Sequence, residues 1–246
     1  MEKNFKLQLE EKEIEIKTGK LAQLSNGSVV VSCGGTTVLV TASFNKEARE
    51  GINFLPLSVS YQEKFYAAGM IKSSRFQKRE TRPADDKILM GRVIDRTIRP
   101  LFPKFIRNDI QVMVTTLSYD RENEHDVLAA IGSSAAIAVS EIPWNGPTAT
   151  VRVGMINDKF ILNPSPQERD QSDLDLIVSS GEENVVMIEA GAKEVSEDKI
   201  LQAIDFGKNW GQKIAKFISQ IAAEIGKPKL EIIKPEKDLE IVKFLT

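Results

Sequence analysis

Three groups of residues in this sequence have types and spacings that chemistry can use. The first is acidic. The stretch "PQERDQSDLDLIV", residues 166–178, holds Glu168, Asp170, Asp173 and Asp175. Read as a strand, it places Asp173 and Asp175 on one face, because side chains alternate. Two carboxylates so placed can offer oxygen ligands to Mg²⁺, or they can form the solvent-facing side of an edge strand. The second group is cationic. Arg92, Arg96 and Arg99 are separated by four and then three positions, which puts them on one face of a helix. Three arginines without a lysine suit planar, bidentate recognition of phosphate or carboxylate. The plainer alternative is a solvated face whose stems cover apolar surface, with Asp95 taking up part of the charge. The third group is "RFQKRETRP", residues 75–83, where Phe76 stands among Arg75, Lys78, Arg79 and Arg82 with Glu80 as the only acid. Cations for phosphates and a ring for a base are the parts of a single-stranded nucleic-acid site; a merely solvated loop has the same composition.

Other chemistries find little support. One histidine, His125, and one cysteine, Cys33, cannot build a zinc site of the usual kind. His125 precedes a helical pattern, so a solvated or capping role is expected. Cys33 closes the apolar run "VVVSCGG" and reads as buried structure rather than a reactive thiol. No phosphate-binding loop of the GxxxxGK type is present. The chain has 246 residues, 41% hydrophobic and 28% charged, with a net charge of −2. That composition suits one large soluble domain or two small ones and argues against coating nucleic acid by bulk charge, although a local basic patch remains open. The start "MEKNFKLQLE" has no apolar segment of the signal-peptide kind, no stretch is apolar enough for a membrane helix, and the cysteine usage fits a reducing compartment, most simply the cytoplasm.

The elements that must position these residues follow from periodicity. "FKLQLE" and "EIEIKT" alternate like half-buried antiparallel strands. Gly34-Gly35 between two β-branched runs marks a hairpin. "FLPLSVSYQ" and "DIQVMVTTLSY" read as further strands, with an exposed loop over 62–83. "PADDKILMGRVIDRTIRP" reads as a helix started near Pro83, favoured by Asp85 and Asp86 at its positive end and stopped by Pro100. "DVLAAIGSSAAIAVSEI" reads as a helix of small residues packed on a sheet. A hairpin turning at Asn157-Asp158 comes next, then a second hairpin from "SDLDLIVSS" and "NVVMIEAG". A long amphipathic helix follows, opened at Ser196 and closed by Gly226. The order is that of an α+β domain with mixed sheets.

At this point the sequence resembles a known family. "YQEKFYAAGMIKSSRFQKRETRPADDKILMGRVIDRTIRPLFP" is similar to polynucleotide phosphorylases, specifically the first of their two RNase PH-like core domains. The likeness continues through "IGSSAAIAVSEIPWNGPTATVRVGMINDKFILNPS" and "SDLDLIV". It implies an RNase PH fold of the ribosomal protein S5 domain 2-like class over residues 1–227, with 228–246 as the start of a helical linker. It also implies a phosphorolytic 3′-to-5′ exoribonuclease, cytoplasmic and off the membrane, that assembles as a homotrimer, binds single-stranded RNA and works alongside other RNA-degradation proteins. Inorganic phosphate would be the co-substrate and Mg²⁺ the cofactor, held in a second core. Carried onto this sequence, the family's aromatic-basic loop falls on Phe76, Gln77, Lys78, Arg79 and Glu80, with Gln77 where the family has a second aromatic; with Arg82 beside it, Phe76, Lys78 and Arg79 are the expected RNA-binding residues. Arg92, Arg96 and Arg99 would hold phosphate or fix local structure. No catalytic and no metal-binding residue is expected here. Ile177 stands where the active core has a lysine after its two aspartates, Arg169 stands at its upstream aspartate, and Ala129 and Ala130 replace its serine-rich phosphate turn, with Ser133 and Ser134 further along. Two alternatives stay open: a stand-alone RNase PH-like nuclease using Asp173 and Asp175, and a purely structural scaffold.

Overall fold

The computed structural model describes residues 2–71 and 83–232. Its strands follow the apolar alternation of the sequence and form two sheets. The larger has six strands, β1 (Lys3–Leu9), β2 (Lys12–Thr18), β3 (Gly27–Cys33), β4 (Thr36–Ala48), β5 (Leu57–Glu63) and β6 (Asn108–Ser118), in the order β1-β2-β3-β4-β6-β5. All neighbours are antiparallel except β5 and β6, which are parallel. The smaller sheet is antiparallel, with β7 (Ala149–Ile156), β8 (Lys159–Leu162), β9 (Leu174–Ser180) and β10 (Val185–Ala192) in the order β10-β9-β7-β8. Two turns are as the sequence predicts. Gly34, at φ +57°, and Gly35 join β3 to β4. Asn157 and Asp158, both at positive φ, join β7 to β8, as a two-residue hairpin of the primed type requires.

Helix α1 (Asp85–Ile98) lies against the edge strand β5. Its N-cap is Ala84, so Pro83 precedes the helix rather than opening it. It gives way before Pro100 to a short 3₁₀ turn over Arg99–Leu101. Helix α2 (His125–Val139) is buried at every residue but Asp126. It lies on β3 and β4 and also touches β7 and the long C-terminal helix over Glu197–Ile225, so it joins the two sheets. Small residues allow this. A Cβ on Gly132 would come within 2.7 Å of Val40 Cγ2. Ile131 and Ile137 are fully buried and contribute about 2 kcal/mol apiece.

One helix was not expected from the sequence. Residues 166–171 form α3 (Pro166–Gln171), ahead of the strand expected from "SDLDLIVSS". Ser165 caps it, with Glu168 reaching back to Ser165 N at 2.8 Å. A Ser-x-x-Glu box with proline at the first helical position is a legible helix start. Helix α4 (Glu197–Ile225) then covers β7 and β9. Beyond it, residues 227–232 run along the C-terminal end of α2. Lys229 Nζ donates to the carbonyls of Ile137 (2.8 Å), Ala138 (3.0 Å) and Ser140 (2.7 Å). The ammonium thus satisfies acceptors that a helix end leaves open and meets the negative end of the helix dipole. Among the described residues no helix is long and apolar enough to cross a membrane.

Candidate nucleic-acid interface

The two arginines of α1, Arg92 and Arg96, and Arg99 at its C-terminal end have different partners. Arg99 grips Asp95 with two bonds, Nε to Oδ2 at 2.7 Å and Nη2 to Oδ1 at 2.6 Å. It also donates to the carbonyls of Leu55 (3.0 Å) and Leu57 (3.2 Å). Its charge is spent on fastening the end of α1 to the start of β5. Arg96 pairs with Glu189 of β10 across an exposed gap. Arg92 is exposed and has no hydrogen-bond or ion-pair partner among the described residues. Arg92 and Arg96 line a groove of about 490 Å³ between β5 and α1, together with Ser60, Gln62 and Lys87. Pro83 also lines it, so the groove begins where the chain leaves the "RFQKRETR" segment. Phe76, Lys78, Arg79 and Arg82 themselves lie outside the described residues.

The acidic pair takes a different form from the one alternation suggests. Asp173 is exposed and precedes β9; Asp175 lies within the strand and is half-buried. Arg152 of β7 pairs with Asp175 and also with Asp126 of α2. Arg169 of α3 stands with Nε 3.3 Å from Asp175 Oδ2 and Nη1 3.1 Å from Glu124 Oε1. The result is a chain of alternating charge: Asp126, Arg152, Asp175, Arg169, Glu124. Burial opposes the charged form of Asp126, but Arg152 outweighs it and holds the carboxyl below its usual range. Glu124 is raised by burial and by Asp126, with Arg169 and Arg152 opposing. Arg152 resists desolvation because Asp126 and Asp175 hold its charge. A guanidinium on each oxygen of Asp175 occupies the positions a divalent ion would need, and no cluster of three metal-ligating side chains exists among the described residues. These residues do not fit Mg²⁺. The serines are equally committed: Ser133 Oγ donates to Ala129 O at 2.7 Å, and Ser134 Oγ accepts from Thr148 N at 3.0 Å.

His125 is not solvated, contrary to the expectation from sequence. It is buried at the start of α2, with Nδ1 2.9 Å from Tyr61 Oη and Nε2 3.4 Å from Lys87 Nζ and 3.5 Å from Glu63 Oε1. Burial and the nearby Lys87 charge lower its pKa, against the opposing pull of Asp126 and Glu63. Tyr61 is a strand residue far away in sequence, so no local signal marked this contact. Cys33 is buried as expected, and burial raises its thiol pKa.

Residues 10–143 match the 3′ exoribonuclease family, domain 1, and residues 146–209 match domain 2 of the same family. The chain belongs to the 3′ exoribonuclease family. Among its 3′ exoribonuclease relatives, the polyribonucleotide nucleotidyltransferase of Alkaliphilus oremlandii is 50% identical over 236 residues, 96% of this chain and 33% of that protein. The enzyme of the same name from Caldicellulosiruptor bescii is 49% identical over 232 residues, 94% of this chain and 33% of its own length. The chain therefore spans about a third of the length of these curated relatives. In fold it is similar to a chain of the Archaeoglobus fulgidus exosome with RNA bound to the active site, at TM-score 0.66 and 17% identity, covering 82% of this chain and 87% of that one. Rice Rrp46 gives TM-score 0.65 and 14% identity, covering 90% and 94%. The architecture is thus the α+β RNase PH fold.

Proposed function

We propose that this chain is the first, noncatalytic RNase PH-like core of a polynucleotide phosphorylase. It binds single-stranded RNA and builds the ring of a homotrimer in the cytoplasm, alongside other RNA-degradation proteins. Phosphorolysis, with its Mg²⁺ and inorganic phosphate, belongs to a second core of the longer protein. Residues 1–227 would form the core and 228–246 would lead into the helical linker. The observation that carries the reading is the placement of Asp175 between Arg152 and Arg169. Transition-state stabilisation in phosphoryl transfer needs cations aimed at the reacting phosphate; here both guanidiniums are tied to carboxylates.

The RNA grip assigns the phosphate contacts to Lys78, Arg79, Arg82 and Arg92, and base stacking to Phe76. Support comes from the open Arg92 beside the point where the basic segment rejoins the fold. The test has two parts. This chain, given RNA and inorganic phosphate, should release no nucleoside diphosphates; phosphate-dependent release would instead favour the stand-alone nuclease. Lys78→Ala with Arg79→Ala should weaken RNA binding and make its salt dependence shallower by about 0.7 log units per log unit of salt for each RNA phosphate left without its cation. An unchanged slope would leave only the scaffold role.

A further inference from the structure

Helix α1 has a cavity on each flank, and the two are lined by opposite chemistry. The groove toward β5 carries the open cation Arg92. The cavity toward α2, β9 and β10, of about 390 Å³, has apolar walls and an acidic rim. Leu89, Met90 and Val93 face in from α1, and Val127 and Ala130 from α2. Four carboxylates line it, Asp86, Asp126, Asp175 and Glu189, against two guanidiniums, Arg152 and Arg169.

Both guanidiniums are already paired, Arg152 with Asp126 and Asp175, Arg169 with Glu124 and Asp175. Four carboxylates against two guanidiniums leave the lining with an excess of negative charge, so a free phosphate entering would meet net repulsion; Arg152 Nε, buried and without a hydrogen-bond partner, is the donor left over. Asp86 and Glu189 keep 59% and 49% of their side-chain surface exposed, so each has acceptor capacity to spare beyond its own ion pair. The volume lies within the range of small-ligand sites, roughly 300–1,000 Å³. A fitting occupant is uncharged, apolar on its faces and edged with N–H donors. Nucleobases with an exocyclic amino group have these properties.

We infer that the cavity between α1, α2 and β10 binds a single amino-bearing nucleobase, from a free nucleoside or from the end of an RNA strand, through its apolar walls and the carboxylates of Asp86 and Glu189. This site is separate from the basic RNA grip and does not depend on it. The test is calorimetric titration of the whole chain with adenosine, cytidine, uridine and inorganic phosphate. Saturable binding of adenosine and cytidine is expected, weaker binding of uridine, which has no amino group, and none of phosphate. Val93→Phe, which fills the cavity, should weaken nucleoside binding at least about tenfold, or about 1.4 kcal/mol. Should that variant fold poorly, the shape-preserving double change Asp86→Asn with Glu189→Gln tests the same site and should weaken adenosine binding about tenfold. Absence of nucleoside binding, equal binding of phosphate, or binding unmoved by both variants would overturn the inference. An RNA oligomer with an intact terminal base, compared with one ending in an abasic residue, distinguishes the source: a preference for the intact end assigns the site to RNA, and equal binding of the two alongside nucleoside binding assigns it to free nucleosides. Because these readouts do not involve Lys78, Arg79 or salt slope, the nucleobase site and the RNA grip can fail separately.

Discussion

Replacing Arg152 by alanine would remove the centre of the alternating charge chain, and the structure gives the cost. Arg152 and Asp126 keep only 7% and 9% of their side-chain surface exposed, whereas Asp175 keeps 36% and retains Arg169. Water can rescue Asp175 but not Asp126. Breaking a buried pair by removing one partner costs about 3–5 kcal/mol, and since only the Asp126 half is deeply buried the lower end applies, about 3–4 kcal/mol at pH 7. The pH dependence supplies a sharper test. In the native protein Asp126 is held below its usual pKa. Its contribution is therefore fully present above the unfolded value, about 3.9, and is lost as pH falls through the folded value. Without Arg152, burial is opposed only by His125 and the Val127 N–H, and the expected outcome is an Asp126 raised above about 3.9. The variant's Asp126 then takes up a proton on mild acidification and sheds the buried charge, so the destabilisation should shrink as pH falls from 7 toward 4. Urea unfolding of both proteins across that range measures it. Adding Asp126→Asn to the variant should recover much of the loss, because no charge is then left buried. A loss below about 1 kcal/mol at pH 7, or one that does not change with pH, would refute the argument that this pair is a buried, coupled unit.

The other predictions concern separate parts of the fold. Lys229→Met removes a charged donor from three carbonyls at the end of α2 and should cost about 1.5–3 kcal/mol, measured by denaturant unfolding. His125→Gln should flatten the stability profile as pH falls below about 6.5. The native imidazole, with its lowered pKa, stays neutral in the fold while the unfolded chain takes up a proton, so native stability falls as pH drops in that range. Gly132→Ala places a methyl group 2.7 Å from Val40 Cγ2 and should cost about 1–3 kcal/mol by overpacking, read as a lower melting temperature. Arg96→Ala should change stability by less than about 1 kcal/mol, because its pair with Glu189 is half-exposed at both ends.

Most of the secondary structure was legible in the sequence because it rests on local rules. Alternation marked the strands, Gly34-Gly35 and Asn157-Asp158 marked two hairpins, and Asp85, Asp86 and Pro100 bracketed α1 within a residue or two. Even the missed α3 had its signal in Ser165, Pro166 and Glu168. The family likeness was also carried by contiguous residues. Tertiary structure decided what the charged residues do, because a charge takes its role from whatever meets it. Arg92, Arg96 and Arg99 are equivalent by spacing, yet one is tied to Asp95 and backbone carbonyls, one meets a carboxylate nearly a hundred residues away, and one faces open groove. Asp175 looked like half of a carboxylate pair until β7 and α3 brought Arg152 and Arg169 to its two oxygens. His125 looked solvated until Tyr61 closed over it. The sequence by itself determined where helices and strands form and which residues are apolar enough to be buried, since those depend on neighbours a few positions apart. Which charges cancel, and which stay open for a ligand, only the packing of distant elements could decide.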